Sequence, residues 1–250
     1  MLKKLDIVIF NETRNLTFFI LSKLIKYRNK INIVAVVSDV KFKNLLNKNN
    51  FKDFKWISSS KKDLLKINKI FKNQKKDLYG FVCQYEWKIP ESIINNFKMI
   101  INFHFGHIPK YRGHHPIIHG ILGCEKFLYG TIHTIDKNFD KGKIIGYVKI
   151  YNNNKISSFD IEKKIGFKFS NYFEKILNII FDNKKILYKK VSLSNGRFNS
   201  INSIKKLKHV KNYNEILTKT AAFDHPIHEP AYLKIKGTKI YLRLKQKQNS

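Results

Sequence analysis

The sequence lacks the features that would assign it to a membrane or secreted class. No apolar run approaches the roughly 18 residues that a membrane-spanning helix needs. The amino terminus enters a strand-like segment containing Asp6 and has no small-residue cleavage site, which argues against a signal peptide. Only two cysteines, Cys83 and Cys124, are present, too few for a disulfide framework. We therefore expect a cytoplasmic protein without a membrane span.

Several common functional motifs are also missing. No G-x-G-x-x-G follows the first strand-like segment, and no G-x-x-x-x-G-K-[ST] occurs, which excludes the two commonest phosphate-binding loops. The G-x-S-x-G turn of serine hydrolases is absent as well. Six of the nine histidines lie between residues 104 and 133, but no compact set of ligands has zinc spacing. We therefore expect no metal.

Acidic residues are scarce. The 18 Asp and Glu stand against 49 Lys and Arg, which gives a net charge of +31. Such a charge suits a polyanionic partner such as nucleic acid, a membrane surface or a phosphorylated substrate. The chain is also rich in Lys, Ile, Asn and Phe, residues with AT-rich codons, and its lysines are scattered. The charge is therefore compatible with a phosphate-bearing substrate without requiring one, and we expect no nucleic-acid partner.

Hydrophobic patterning in the first half predicts an α/β fold. Short apolar runs at 5–10, 31–37, 78–83 and 99–103 are typical of buried strands. Apolar residues at helical spacing predict helices over 14–27 and 61–74, and Pro90 opens a short third helix. Strands that alternate with helices indicate a mostly parallel sheet with helices on both faces.

The second half continues differently. We predict a helix over 116–122, strands over 129–135 and 143–150, and a long helix over 158–181. Residues 182–212 are polar and contain the turn signal Asn195-Gly196. A short helix over 214–222 and a hairpin of 232–235 with 239–242 follow. These patterns divide the chain into a catalytic α/β domain, 1–185, and a small C-terminal helix and β-hairpin region, 186–250.

Candidate catalytic residues lie at a strand end. Ligands of an open α/β sheet bind beyond the carboxyl ends of its strands, and Asn102 and His104 project to the same side there. A carboxylate from 136–140 could join them. An amide and a protonated imidazole can stabilise an oxyanion, while a carboxylate orients the imidazole and helps to remove a proton, which suits acyl transfer to an amine. On spacing alone the signal is weak, because a lone histidine at a strand end is more often structural than catalytic.

Several blocks in the same order resemble a known signature. They are Asn102-Phe103-His104, residues 108–113, Pro116-Ile117, residues 130–133 and residues 140–145. Together they resemble the folate-dependent formyltransferases, which include methionyl-tRNA, glycinamide ribonucleotide and nucleotide-sugar N-formyltransferases. The resemblance implies a Rossmann-like domain and a catalytic triad of Asn102, His104 and Asp140. Phe105-Gly106-His107 replaces the usual Pro-Ser-Leu, and residues 11–14 lack the Gly-Thr-Pro of the tRNA enzyme.

The resemblance also implies the formyl donor and its contacts. The donor would be N10-formyltetrahydrofolate, held largely by main-chain groups of the loop after the strand that precedes the catalytic one. The implied donor-binding residues are Cys83, Gln84, Tyr85, Asp136 and Phe139. Trp87, in the same loop, suits either this site or the core. For the acceptor, the cationic candidates that could bind a diphosphate are Lys88, Lys110 and Arg112. The residues that could shape the acceptor pocket are His107, Phe223 and Tyr232.

Chain length and the short C-terminal region resemble the nucleotide-sugar enzymes most. Residues 182–250 leave no room for the C-terminal barrel of the tRNA enzyme. The resemblance implies a homodimer that formylates a nucleotide-linked amino-dideoxysugar for O-antigen or other surface-glycan synthesis. dTDP-4-amino-4,6-dideoxyglucose is the first choice, with a 3-amino isomer or GDP-perosamine as alternatives. A truncated methionyl-tRNA formyltransferase, which the charge would suit, is the second reading. A non-catalytic nucleic-acid-binding relative is the third, and it should have a broken triad.

Overall fold

The computed structural model describes residues 4–67, 70, 77–138, 140–153, 156–191, 196–205 and 208–245. The chain divides into two compact units. The first comprises Met1–His104, Thr131–Gly146 and Gly166–Val191, and the second comprises Phe105–Gly130, Tyr147–Ile165 and Ser192–Ser250. Across the described ranges, every helix is too short or too polar to cross a membrane.

Strands and helices alternate along the first part of the chain. They are β1 (Leu5–Asn11), α1 (Asn15–Lys26), β2 (Ile31–Ser38), α2 (Val40–Lys48), β3 (Lys55–Ser58), α3 (Lys61–Leu64), β4 (Tyr79–Cys83), α4 (Glu91–Ile94) and β5 (Met99–His104). The four strands predicted in this part are confirmed. The sequence analysis did not predict α2 and β3. The helix predicted over 61–74 begins as α3, but 68–69 and 71–76 lie outside the described residues.

The second part of the chain contains the remaining elements. They are β6 (Tyr111–Gly113), α5 (Pro116–Leu122), β7 (Phe127–Thr134), β8 (Ile144–Tyr151), α6 (Ser158–Phe181), β9 (Arg197–Asn199), α7 (Ile201–Lys205), α8 (Tyr213–Phe223), β10 (Tyr232–Ile235) and β11 (Thr238–Tyr241). The helices predicted over 116–122 and 158–181 are confirmed to the residue. The predicted hairpin is confirmed as β10 and β11, which pair antiparallel. The short elements β6, β9 and α7 were not predicted.

Seven strands form one sheet in the order β3-β2-β1-β4-β5-β7-β8. The pairs from β3 to β5 are parallel, and β5 pairs antiparallel with β7. This is the mostly parallel, Rossmann-like α/β sheet that the sequence indicates. Because β1, β4 and β5 are parallel neighbours, the loops that follow them start at the same edge of the sheet.

Both faces of the sheet in the first unit are covered by apolar side chains. One face belongs to a buried cluster that includes Val8, Phe10 and Val82. On the other face, Phe81 packs against Phe173 of α6 with ring centroids 4.8 Å apart. Neighbouring Phe103 packs against Phe169 of the same helix at 5.4 Å. Burial of each such ring contributes about 2 kcal/mol, and it fixes β5, the strand that carries Asn102 and His104.

The second unit contains two small pairings of its own. β6 pairs in parallel with β9, and β10 pairs with β11. The C-terminal residues from Ser192 onward are grouped there with Phe105–Gly130 and Tyr147–Ile165. The division into a catalytic region, 1–185, and an appendage, 186–250, stays a prediction.

Candidate active site

The pairing of β5 with β7 determines the orientation of Asn102. Asn102 lies directly opposite His133 in the register, so both side chains point to the same face. Asn102 Nδ2 is 3.1 Å from His133 Nε2, and His133 Nδ1 is 2.9 Å from the Thr134 carbonyl oxygen. Because an amide nitrogen can only donate, His133 Nε2 accepts, and its proton is on Nδ1, which donates to Thr134. His133 therefore fixes the rotation of the Asn102 amide.

The protonation state of His133 follows from its burial. Its side chain is 1% exposed. Burial lowers the pKa of His133 to about 4, and the nearby Asp140 carboxylate opposes this shift only in part. A neutral imidazole near pH 7 is the form that can accept the hydrogen bond from Asn102.

Asp140 is presented by the loop between β7 and β8. Thr134 N–H donates to the Lys143 carbonyl, and Lys143 N–H donates to Thr134 Oγ1, both at 2.9 Å, which closes the base of this loop. Gly142 is required at the base, since a Cβ there would lie 1.6 Å from the Thr134 carbonyl oxygen. Asp140 itself has φ 51°, in the left-handed region that non-glycine residues adopt at a cost. The closed loop base holds Asp140 in this conformation.

The Asp140 carboxylate lies between two imidazoles. Its Oδ2 is 3.7 Å from His104 Nδ1, and its Oδ1 is 3.7 Å from His133 Nε2. Both distances are longer than a hydrogen bond. Because all three side chains are buried, water screens the electrostatic interaction between the carboxylate and the imidazoles only weakly. The structure thus brings the predicted Asn102, His104 and Asp140 together and adds His133 to them.

An open cleft of about 430 Å³, measured with its solvent-filled mouth, adjoins this cluster. The loop after β4 contributes Tyr85, Trp87, Lys88 and Ile89 to its lining. β5, β7 and the loop after β7 contribute Asn102, His133, Ile135, Asp136, Asn138 and Asp140. The cleft therefore combines aromatic surface with amide and carboxylate groups.

Tyr85 lines the cleft with a side chain that is partly buried. Its hydroxyl is buried and has no hydrogen-bond partner among the described residues. Burial raises the pKa of Tyr85, so the hydroxyl stays protonated and can donate. A buried polar group left unpaired costs about 1–3 kcal/mol.

The predicted donor-binding residues have different surroundings. Tyr85 and Asp136 line the cleft. Cys83 is fully buried at the end of β4, and burial raises the pKa of its thiol, so this side chain belongs to the core. Gln84 Oε1 accepts the Leu16 N–H at 2.9 Å, so its side chain caps α1. Phe139 lies outside the described residues.

Two of the predicted acceptor cations have partners within the second unit. Lys110 Nζ is 2.5 Å from Glu125 Oε1. Arg112 donates from Nη2 to the Gly196 carbonyl at 2.5 Å, and its Nε is buried without a partner among the described residues. Lys88, in the first unit, is exposed and lines the cleft.

The other three predicted acceptor residues also belong to the second unit. His107 stacks on Tyr129 with ring centroids 4.4 Å apart, and burial lowers the pKa of His107. Phe223 is fully buried and forms part of the core of that unit. Tyr232 is half-buried on β10. Their roles as acceptor contacts stay predictions.

Sequence reasoning missed His133 as a member of the cluster. The motif contained it, but its contact with Asn102 depends on the antiparallel register of β5 and β7, which a strand pattern does not give. Asn138, also missed, donates its N–H to Asp136 Oδ1 at 2.8 Å within the loop after β7. Among the described residues, no group of three or more His, Cys, Asp or Glu side chains is arranged to hold a metal ion.

The fold and the clustered amide, imidazole and carboxylate groups define a group-transfer enzyme of the α/β class. The model of the formyl transferase family matches residues 3–173. This match spans well over half of the chain, and the chain belongs to the formyl transferase family. A comparison with curated proteins found no match.

Solved structures share the fold. A 4-N formyltransferase from Francisella tularensis is 24% identical, with a TM-score of 0.75 over 97% of this chain and 98% of that one. The N-formyltransferase from Helicobacter canadensis, in complex with folinic acid and dTDP-3-aminofucose, is 19% identical, with a TM-score of 0.71 over 95% and 86%. Methionyl-tRNA formyltransferase from Clostridium thermocellum is 14% identical, with a TM-score of 0.64 over 98% and 94%.

Proposed function

We propose that this protein transfers a formyl group from N10-formyltetrahydrofolate to the amine of a nucleotide-linked amino-dideoxysugar. The observation that carries the proposal is the cluster of Asn102, His104 and Asp140 beside one cleft, in a chain of the formyl transferase family. An amide, an imidazole and a carboxylate are the groups that acyl transfer to an amine needs.

The cleft suits the donor. Tyr85 and Trp87 offer aromatic surface for a flat ring system, and Asp136 and Asn138 offer polar groups for its edge. When bound, N10-formyltetrahydrofolate supplies the formyl carbon as the electrophile. The Helicobacter canadensis enzyme binds folinic acid, a related formylated folate, which supports this choice.

Each residue of the cluster has a distinct role in the proposed reaction. The Asn102 amide, held by His133, directs an N–H toward negative charge that develops on the formyl oxygen. His104 in its protonated form donates to the same oxygen. Asp140 stabilises that imidazolium and accepts the proton that the sugar amine loses. In the net reaction the amine nitrogen forms a bond to the formyl carbon and loses one proton, the bond between that carbon and the donor nitrogen breaks, and the donor nitrogen takes up one proton.

The acceptor we favour is dTDP-4-amino-4,6-dideoxyglucose, with the 3-amino isomer and GDP-perosamine as alternatives. The Helicobacter canadensis enzyme, in complex with dTDP-3-aminofucose, has a TM-score of 0.71 against 0.64 for the methionyl-tRNA enzyme, which supports a nucleotide sugar over tRNA. Chain length does not separate these classes, since 98% of this chain matches 94% of the Clostridium thermocellum protein. The exposed Lys88 on the cleft is our first candidate for the diphosphate.

We further propose a cytoplasmic homodimer that serves O-antigen or other surface-glycan synthesis. Both cysteines are free thiols in the structure, which is consistent with a reducing compartment. Light scattering on the purified protein at several concentrations would test the dimer.

A formyl-transfer assay that follows release of tetrahydrofolate tests the reaction. The acceptors are the three nucleotide sugars and charged initiator tRNA, each assayed in parallel. We expect turnover with one nucleotide sugar and none with tRNA. His104→Gln and Asp140→Asn should each lower kcat by about 10²–10⁴-fold. The matched control is Asp53→Asn, which changes an exposed carboxylate in the same way as Asp140→Asn and should retain full activity.

The opposite results are equally informative. Turnover with tRNA alone would replace the sugar proposal with the methionyl-tRNA reading. In that case, affinity should fall about 10³–10⁵-fold between 50 and 200 mM salt, as expected for a protein that contacts several phosphates. Full activity of His104→Gln would refute the assigned chemistry.

A further inference from the structure

The loop after β4 lies next to the turn between β1 and α1. β1 and β4 pair in parallel as far as Asn11 and Cys83, so the segments that follow them leave the sheet side by side. We call residues 84–89 the donor loop, because Tyr85 and Trp87 line the cleft assigned above to the formyl donor. The position of this loop determines the shape of the cleft.

The turn between β1 and α1 is held firmly from its other side. Thr13 donates to Asp39 through both its N–H and its hydroxyl, each at 2.7 Å. The N–H of Arg14 donates to Thr17 Oγ1 at 2.9 Å, and Asn11 Nδ2 donates to the same oxygen at 3.2 Å. Thr17 is fully buried. The turn can therefore serve as a fixed support for the donor loop.

Two contacts join this support to the donor loop. The Leu16 N–H donates to Gln84 Oε1 at 2.9 Å. Arg14 Nη2 forms an ion pair with Glu86 and lies 3.3 Å from Glu12 Oε2. Gln84 adopts φ 58°, a left-handed conformation that is unfavourable for a non-glycine residue and that persists only when surrounding contacts hold it. The donor loop is thus restrained at its first residue, Gln84, and at its third residue, Glu86.

Arg14 separates two carboxylates that otherwise repel each other. Burial raises the pKa of Glu12, and the charge of Glu86 adds to this shift, whereas Arg14 opposes it. The planar guanidinium can donate to both carboxylates at once. Arg14 and Glu86 are 32% and 44% exposed, so the ion pair contributes little to the free energy of unfolding. Its main effect is on the position of the donor loop.

We propose that Arg14 is a positioning residue for the formyl donor. It holds Glu86, and through it the donor loop, so that Tyr85 and Trp87 face the ligand. Arg14 does not belong to the lining of the cleft and acts through the loop alone. The inference rests on the proposed function, because it assumes that this cleft binds the folate.

A charge-exchange cycle tests the inference. Arg14→Glu and Glu86→Arg each place like charges opposite one another, while the double variant restores an opposite pair. The Kd of folinic acid is measured by calorimetry, and the donor KM and kcat by the transfer assay. Each single variant should raise Kd and KM about 5–10-fold with little change in kcat, and the double variant should recover most of the loss. Arg28→Glu, at an exposed arginine after α1, is the control and should match the wild type.

The outcomes separate the inference from the proposed function. Single variants with unchanged Kd, a loss confined to kcat, or a double variant no better than the singles would each overturn the role of Arg14. Glu86→Arg changes a largely exposed side chain, so it tests the contact even if Arg14→Glu unfolds. A wild-type protein that neither binds folinic acid nor turns over would instead overturn the proposed function, and with it this inference.

Discussion

Replacing His133 with glutamine tests how burial of an imidazole makes stability depend on pH. Gln can accept the Asn102 hydrogen bond near the position of Nε2, but it carries no titratable ring. In the folded protein, burial lowers the pKa of His133 to about 4, whereas an imidazole in the unfolded chain has a pKa of about 6.5. Between these two values, the unfolded chain binds a proton that the folded protein does not.

The size of the effect follows from this difference. The free energy of unfolding should fall as pH falls through about 6.5, and the loss should level off below about 4. Between pH 7 and pH 5, linkage gives a loss of about 2 kcal/mol from His133 alone. The carboxylates that also titrate in acid are shared by the wild type and the variant, so they cancel in the difference between the two.

Urea unfolding of both proteins at pH 7, 6 and 5 provides the measurement. The variant should gain about 2 kcal/mol relative to the wild type over this range, with unchanged m values. His209→Gln, at an exposed position, is the control and should follow the wild type at each pH. A constant difference between the His133→Gln variant and the wild type from pH 7 to pH 5 would refute the neutral, buried imidazole.

Three further substitutions and one control variant test the core and the cleft. Phe173→Ala should cost about 3–5 kcal/mol in urea unfolding because its ring is fully buried against the sheet, whereas Phe167→Ala, 55% exposed on the same helix, should cost less than about 1 kcal/mol. Gly142→Ala should lower kcat at least about 10-fold in the transfer assay by displacing Asp140, and unchanged turnover would contradict the role of the loop base. Tyr85→Phe removes a buried hydroxyl that has no partner among the described residues, so it should raise the free energy of unfolding by about 1–3 kcal/mol in urea unfolding, and a loss of stability would contradict this.

The elements with a strong hydrophobic period could be predicted from the sequence. The helix over 158–181 places apolar residues on one face for six turns or more, and α6 matches it to the residue. α2 could not be recognised in this way, because Val40–Lys48 contains three lysines and only two of its nine residues are buried. β3 has only four residues, of which one is buried. A strand this short does not show a hydrophobic period.

The candidate site could be predicted by residue type but not by contact. The motif supplied Asn102, His104 and Asp140, and the structure places Asn102 and Asp140 on the lining of one cleft, with His104 3.7 Å from the Asp140 carboxylate. The resemblance also implied Cys83 and Gln84 as donor contacts, largely through main-chain groups, and this stays a prediction; the side chain of the first lies in the core and that of the second caps a helix. The position of a residue near a strand end does not reveal which groups its side chain contacts, because these contacts depend on the neighbouring strand and helix.

Two residues next to the cleft have a left-handed backbone conformation, and hydrogen bonds outside the cleft hold each of them in it. Gln84 has φ 58° and Asp140 has φ 51°, conformations that cost a non-glycine residue about 1–2 kcal/mol. The cap on α1 retains the first, and the hydrogen bonds between Thr134 and Lys143 retain the second. Because these supporting contacts lie at the bases of the two loops, they set the geometry of the cleft without touching a ligand. Substitutions at the loop bases should therefore alter ligand affinity and turnover more than they alter the free energy of unfolding.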